Sequence, residues 1–320
     1  MPRVVLVLVR GGAADEDVFA MALAMGRPDG AHFVMLHTRP DVVRDIAALA
    51  GADGGGMGAG IDTMMNQMED DADTREQGAE HAWRAFCARN GIAIADQPSN
   101  GQPSTGQPST AQHTGEGSSA GQPMTAEWVS EIGAEDQWLA VHGRTVDLIV
   151  VGRGEADQET DFALMEAALM DTGKPVVIAP RGMAGMAVPK GMPGGMPQGI
   201  VGIAWRDTPE AAGAVHAALP WLRAATDVII FAVTEDEEET DKSPLRLARM
   251  LRWHNPRVAV RVVLREGRSA ATVLLEAAAK AGCGLLVMGG YGHGALRQAM
   301  FGGFTRDVLE AAPMPVLMAH

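Results

Sequence analysis

Along this chain of 320 residues, short runs of apolar and β-branched residues alternate with alanine-rich amphipathic stretches. In the later part the runs fall at 199–205, 227–234, 258–264, 284–288 and 315–318. The stretches between them predict helices over about 208–222, 242–254, 268–281 and 304–311. Runs that are apolar throughout belong to parallel strands covered on both faces. Their alternation with helices predicts an open α/β sheet. In such sheets ligands bind at the carboxyl ends of strands, near a topological switch point.

The pattern is written twice. DLIVVGRG at 147–154 matches GLLVMGGYG at 284–292, and KPVVIAP at 174–180 matches MPVLMAH at 314–320. Upstream, AHFVMLHT at 31–38 matches DVIIFAVT at 227–234, and RVVLVLV at 3–9 matches GIVGIAW at 199–205. The offset is 196 at the second strand (His37 against Val233) but 140 at the last (Ala179 against Ala319), so the first copy carries 56 extra residues. Two low-complexity stretches account for most of the excess: GADGGGMGAG at 51–60, and a GQPST-repeating segment near 97–123. The second has almost no apolar residue to offset its ordering entropy and reads as a disordered surface insertion. A Met/Gly/Pro-rich run at 182–198 reads as a linker. The expected organisation is therefore a first domain over 1–198 and a second over 199–320.

Composition narrows the setting. Hydrophobic residues make up 47% and charged residues 21%, as in globular domains. No apolar run approaches the roughly 20 residues of a spanning helix. The opening residues lack a small-residue cleavage site, so cytoplasmic is the expected location and a membrane is not an expected partner. Cys87 and Cys283 are too few for a disulfide framework and occupy non-equivalent places in the repeat. The net charge of −14 argues against nucleic acid. It is also uneven: residues 1–199 hold 13 Lys+Arg against 27 Asp+Glu, and residues 200–320 hold 13 of each.

The candidate chemistry lies in VMGGYGHGALRQAMFGGFTRDVL, 287–309. A strand ends at Met288, a loop with Gly289, Gly290, Gly292 and Gly294 follows, and Gly302-Gly303 opens a helix near Phe304. Glycines let the backbone approach a ligand, and a helix N-terminus presents free N–H groups to an anion. There is no P-loop, and the glycines are out of step with the dinucleotide fingerprint. By pattern alone, a tight strand–helix connection and a phosphate cradle both remain open.

Gly289-x-x-Gly292, nine residues, then Gly302-Gly303 resembles the nucleotide-binding signature of the universal stress protein family: G-x-x-G, nine residues, G, then Ser or Thr. The AWRDT stretch at 204–208 and the closing VLMAH strengthen the resemblance, which extends over both repeats. It implies two tandem open five-stranded parallel-sheet domains, Rossmann-like and similar to the adenine-nucleotide α-hydrolases, packed as a pseudo-dimer. The last strands, Val176–Ala179 and Val316–Ala319, are the candidates for the contact between them, since edge strands need covering.

The resemblance further implies ATP, accompanied by Mg²⁺, in the second domain. Gly289, Gly292, Gly302, Gly303 and Phe304 would lie at the phosphates, and Ala204, Asp207, Val233 and Met288 on the nucleoside side. Gly303 stands where nucleotide-binding members carry Ser or Thr, and Arg206 stands where they carry an acid, with Asp207 one place later. The first copy departs further. Gly152 is followed by no glycine at the required spacing, and Glu155, Asp157, Glu159 and Asp161 stand where phosphates would approach. That copy is expected to bind no nucleotide.

The expectation is thus a regulatory or sensing module with an unidentified protein partner, open to homodimerisation beyond its internal pseudo-dimer. No general base is placed to activate water, so efficient ATP hydrolysis is not expected. The alternatives are a scaffold of the same fold without nucleotide, and an enzyme of the ATP α-hydrolase type, for which no second catalytic constellation appears. Gly117-Ser118-Ser119-Ala120-Gly121 matches a nucleophile pattern but lies in the insertion. His293 reads as a solvated loop residue, the 235–239 acid run as a solvated loop, and the tryptophans as packing residues.

Overall fold

The computed structural model describes residues 3–26, 30–52, 60–95, 123–153, 158–185, 199–235, 241–290 and 303–320. In the first half, β1 (Val4–Leu8), α1 (Asp15–Gly26), β2 (His32–Arg39), α2 (Val42–Ala52) and α3 (Ile61–Asn90) come first. After them come β3 (Ala93–Ile94), β4 (Thr125–Ile132), α4 (Glu135–Gly143), β5 (Leu148–Val151), α5 (Gln158–Met170) and β6 (Val176–Ile178). The second half runs β7 (Ile200–Ala204), α6 (Pro209–Ala217), α7 (Leu219–Ala224), β8 (Asp227–Thr234), α8 (Ser243–Leu251) and β9 (Val258–Leu264). It closes with α9 (Ala270–Lys280), β10 (Cys283–Gly289), α10 (Gly303–Ala311) and β11 (Val316–Ala319).

All eleven strands form one sheet, in the order β3-β4-β2-β1-β5-β6-β11-β10-β7-β8-β9. Within each half the pairings are parallel, and the halves meet where β6 and β11 pair antiparallel. The order reads alike outward from that seam, which is the expected pseudo-dimer. The fully apolar strands explain the burial: β1, β5, β6 and β11 have helices on both faces. Val5, Val7, Val150, Val177, Leu317, Val287 and Ile203 line one face of a core that crosses the seam. Leu6, Ile149, Val176, Ile178, Val316, Met318 and Met288 line the other.

One expectation needs correction. The first half has six strands rather than five, because the two-residue β3 pairs with β4 at the outer edge. Beside its low-complexity stretches, this half also carries a long helix that the pattern did not single out, α3 of 30 residues. Seven acids lower the mean hydropathy of that helix and mask an amphipathic period, but Ala72, Ala79, Trp83, Phe86 and Cys87 are buried. Phe86 stacks on Phe19 and Trp83 on Trp128, with ring centroids 5.0 and 5.8 Å apart. With three arginines against its seven acids, α3 contributes a net −4 to the −14 of the first half.

Most of the predicted insertion, and residues 186–198 of the predicted linker, lie outside the described residues. The start of that linker is anchored: the Asp17 carboxylate accepts the N–H groups of Gly182 and Ala184, at 2.8 and 2.7 Å. No helix among the described residues is long and apolar enough to cross a membrane.

Candidate functional site

In the second half the chain leaves β7 toward β8 and β9 on one side, then returns past β7 to β10 and β11 on the other. The switch point is the crevice between the carboxyl ends of β7 and β10. Register places Met288 beside Ala204, and Ala204 beside Phe231. Val233 lies two residues further along β8. Ala204 and Val233 are half-buried, while the Met288 side chain is packed into the core.

Three helices open around this end of the sheet. Thr208 caps α6, its Oγ1 accepting the Ala211 N–H at 3.3 Å. Trp205 Nε1 donates to Ser243 Oγ at 2.9 Å, and Ser243 donates to Asp241 through N–H and O–H at 2.7 and 2.6 Å. These bonds to Ser243 hold the Asp241 carboxyl below its usual range. Asp207 pairs with Arg246 of α8 at 2.8 Å, both side chains well exposed. The sequence signalled Asp207 and, within the same AWRDT stretch, Trp205, but Arg246 and Ser243 carry no motif and emerge only from the fold.

The predicted glycines separate by role. A Cβ at Gly289 would stand 2.5 Å from the Ala211 nitrogen and 2.9 Å from its Cα. This glycine therefore lets β10 pack directly against the backbone of α6, a structural need that exists without a ligand. At Gly303 a Cβ would meet no atom within 4 Å. Gly303 opens α10 into free space. Phe304 beside it is partly exposed. Gly292, Gly302 and His293 lie outside the described residues.

α10 opens Gly303-Phe304-Thr305-Arg306, with one cation and no acid. A cation in the first turn opposes the helix dipole by ~0.3–1 kcal/mol unless an anion arrives.

In the first half the turn that follows β1 is tied back to the chain itself. Asp15 accepts the N–H groups of Arg10 and Gly11, at 3.0 and 2.7 Å. Arg10 pairs with Glu135 of α4 at 2.7 Å. Gly11 has a φ of +79°, and a Cβ there would stand 2.6 Å from Arg75 Cγ, so α3 lies directly over this turn. Arg39 fastens α3 further through Asp73 and Glu76.

Residues 209–320 match the model of the universal stress protein family. Over the whole chain the likeness is one of fold. A universal stress protein structure from Archaeoglobus fulgidus DSM 4304 aligns with a TM-score of 0.60 and 15% identity, covering 99% of this chain and 95% of that one. A Pseudomonas aeruginosa UCBPP-PA14 protein assigned to the same family aligns with a TM-score of 0.52 and 14% identity, covering 99% and 93%. No curated protein matches the chain in sequence. The matched stretch lies within the neutral half of the chain, and the acidic α3 belongs to the half that the family model does not reach.

Proposed function

We propose that the second domain, residues 199–320, binds an adenine nucleotide and that the protein acts as a regulatory or sensing module. The observation that carries this reading is the first turn of α10. Its N–H groups have no partner within the helix, the position at Gly303 is open, and the turn holds Arg306 and no acid, which together suit a phosphate. Gly292 and Gly302 would complete the family spacing in the sequence. The nucleoside would lie along the carboxyl ends of β7, β8 and β10, against Ala204, Val233 and Met288. ATP would bring Mg²⁺ with it.

Asp207 is the weakest contact in this scheme, because a ribose would share it with Arg246. That ion pair is the observation favouring a scaffold role without nucleotide. It is an exposed pair worth ~0–1 kcal/mol, so a ribose hydroxyl can compete with it. The first domain, 1–198, is a companion in which the turn after β1 is tied by Asp15 and covered by α3.

Calorimetric titration of the intact chain with Mg-ATP tests the reading, alongside Gly303→Asp. The added carboxylate fits sterically and places negative charge at the phosphate position. Saturable binding by the parent and at least a tenfold loss in the variant are expected. Equal affinity in the two would refute the phosphate assignment.

A further inference from the structure

The helix at the centre of that proposal is held at both ends by the other half of the chain. Near its start, the Arg306 guanidinium lies over the ring of Phe162 of α5, 4.7 Å from the centroid, while Nε pairs with Glu310 at 3.0 Å. Just past its end, Arg153 Nη1 donates to the Ala312 carbonyl at 2.9 Å. Arg153 follows β5, Phe162 is buried in α5, and both cross the seam to reach α10. The glycine loop starts on the same surface: Gly290 donates its N–H to Ala319 at 2.9 Å, and a Cβ there would lie 3.4 Å from Leu169 Cδ1 of α5.

These contacts suit what they touch. A helix C-terminus carries partial negative charge and carbonyls without intrahelical partners, and a guanidinium satisfies both needs. Burial, with Arg181 nearby, lowers the pKa of Arg153 to about 10, so it stays charged at neutral pH. The stacked Arg306 cannot swing freely, because the ring face and Glu310 hold it from two directions.

The repeat makes the arrangement one-sided. Arg153 occupies the position that Gly290 holds in the second copy, directly after the glycine that ends the equivalent strand. The first half therefore extends a long cation across the seam, whereas the second half offers only backbone at that position.

We propose that Arg153 and Phe162 are positioning residues of the first half that fix α10, and so set the phosphate-binding geometry of the second half. This rests on the nucleotide reading above, but the grip on α10 can be measured without any nucleotide. The test uses the full chain with Arg153→Met and Phe162→Leu, each retaining apolar bulk, and Phe162→Tyr, which retains the ring. Amide hydrogen exchange is followed at 303–311, with 270–280 of α9 as the internal reference.

Both disruptive variants should exchange faster across 303–311 with α9 unchanged, and Phe162→Tyr should behave as the parent. Mg-ATP affinity should fall about two- to fivefold in the disruptive variants, the range one such contact supports. Unchanged exchange at 303–311 in both disruptive variants would overturn the proposal, as would equal loosening of α9 and α10. Faster exchange at α10 in a chain that binds no ATP would leave the grip established and refute the nucleotide reading alone.

Discussion

Val177 of β6 lies opposite Leu317 of β11, both fully buried, in the antiparallel pairing that joins two parallel half-sheets. Because the core on either face runs through this pair without a break, the halves share their hydrophobic stabilisation. Leu317→Ala should cost about 2–5 kcal/mol, the range for truncating a buried leucine. In urea titrations the midpoint should drop, and tryptophan fluorescence and circular dichroism should still report one coincident transition. Two separated transitions in the parent chain would show that the seam does not couple the halves.

The two cysteines offer a probe from each half. Cys87 and Cys283 are both free and buried, and burial pushes each thiol up to about 11. At pH 8 roughly a thousandth of each is thiolate, the reactive form. Neither should react with a disulfide reagent in the native protein. Both should become reactive at the same urea concentration, which mass spectrometry of the labelled peptides can resolve. Rapid native labelling of either would contradict its burial.

Much of this fold could be read from the chain. Each predicted element of the second half falls within a few residues of its place, because fully apolar strands and alanine-rich helices repeat without interruption there. The seam was also legible, since the final strands of both copies are apolar and would otherwise be bare edges. α3 was not, because its buried positions are diluted by charge and flanked by low-complexity chain. At the site, Gly289 carried a motif signal yet has a packing reason of its own. Arg153, Phe162 and Arg306 carried no motif at all. Their roles depend on contacts across the seam, between residues more than 140 apart in the chain.

Gly289 and Gly303 should respond oppositely to substitution. Gly289→Ala places a methyl against the backbone of α6, which cannot move aside as a side chain could. A loss of about 1–3 kcal/mol is expected from overpacking, measurable as a lowered urea midpoint. Gly303→Ser meets open space and restores the hydroxyl that the resemblance leads one to expect at this position. Its stability should be unchanged within experimental error and its Mg-ATP affinity raised about fivefold, as one added hydrogen bond of ~1 kcal/mol implies. A serine variant with parental or weaker affinity would argue that no phosphate sits at this turn.

Nucleotide stoichiometry separates the two halves. With the turn after β1 tied by Asp15 and covered by α3, Mg-ATP should bind once per chain in calorimetry. A second saturable site, retained when Gly303→Asp removes the first, would mean that the first half opens to ligand beneath α3.

Asp15 makes that turn sensitive to pH. Its carboxylate is almost completely buried, and burial raises its pKa above the ordinary value of 3.8 despite the N–H groups of Arg10 and Gly11 and the nearby His37, which pull it down. Between the unfolded and folded values the native protein holds more protons than the unfolded chain, so stability falls as pH rises through that window. The penalty of the buried charge is absent below the unfolded value and complete above the folded one. Asp15→Asn cannot ionise, so the slope of stability against pH from 3.8 upward should change by this residue's contribution. Urea midpoints of parent and variant, measured at closely spaced pH values, read that difference. Asp15→Ala provides the contrast, because it leaves the Arg10 and Gly11 donors without their acceptor and should cost about 1–3 kcal/mol at every pH where the parent is folded. Parallel midpoint curves for parent and Asp15→Asn would show that the carboxylate does not carry the burial penalty assigned to it.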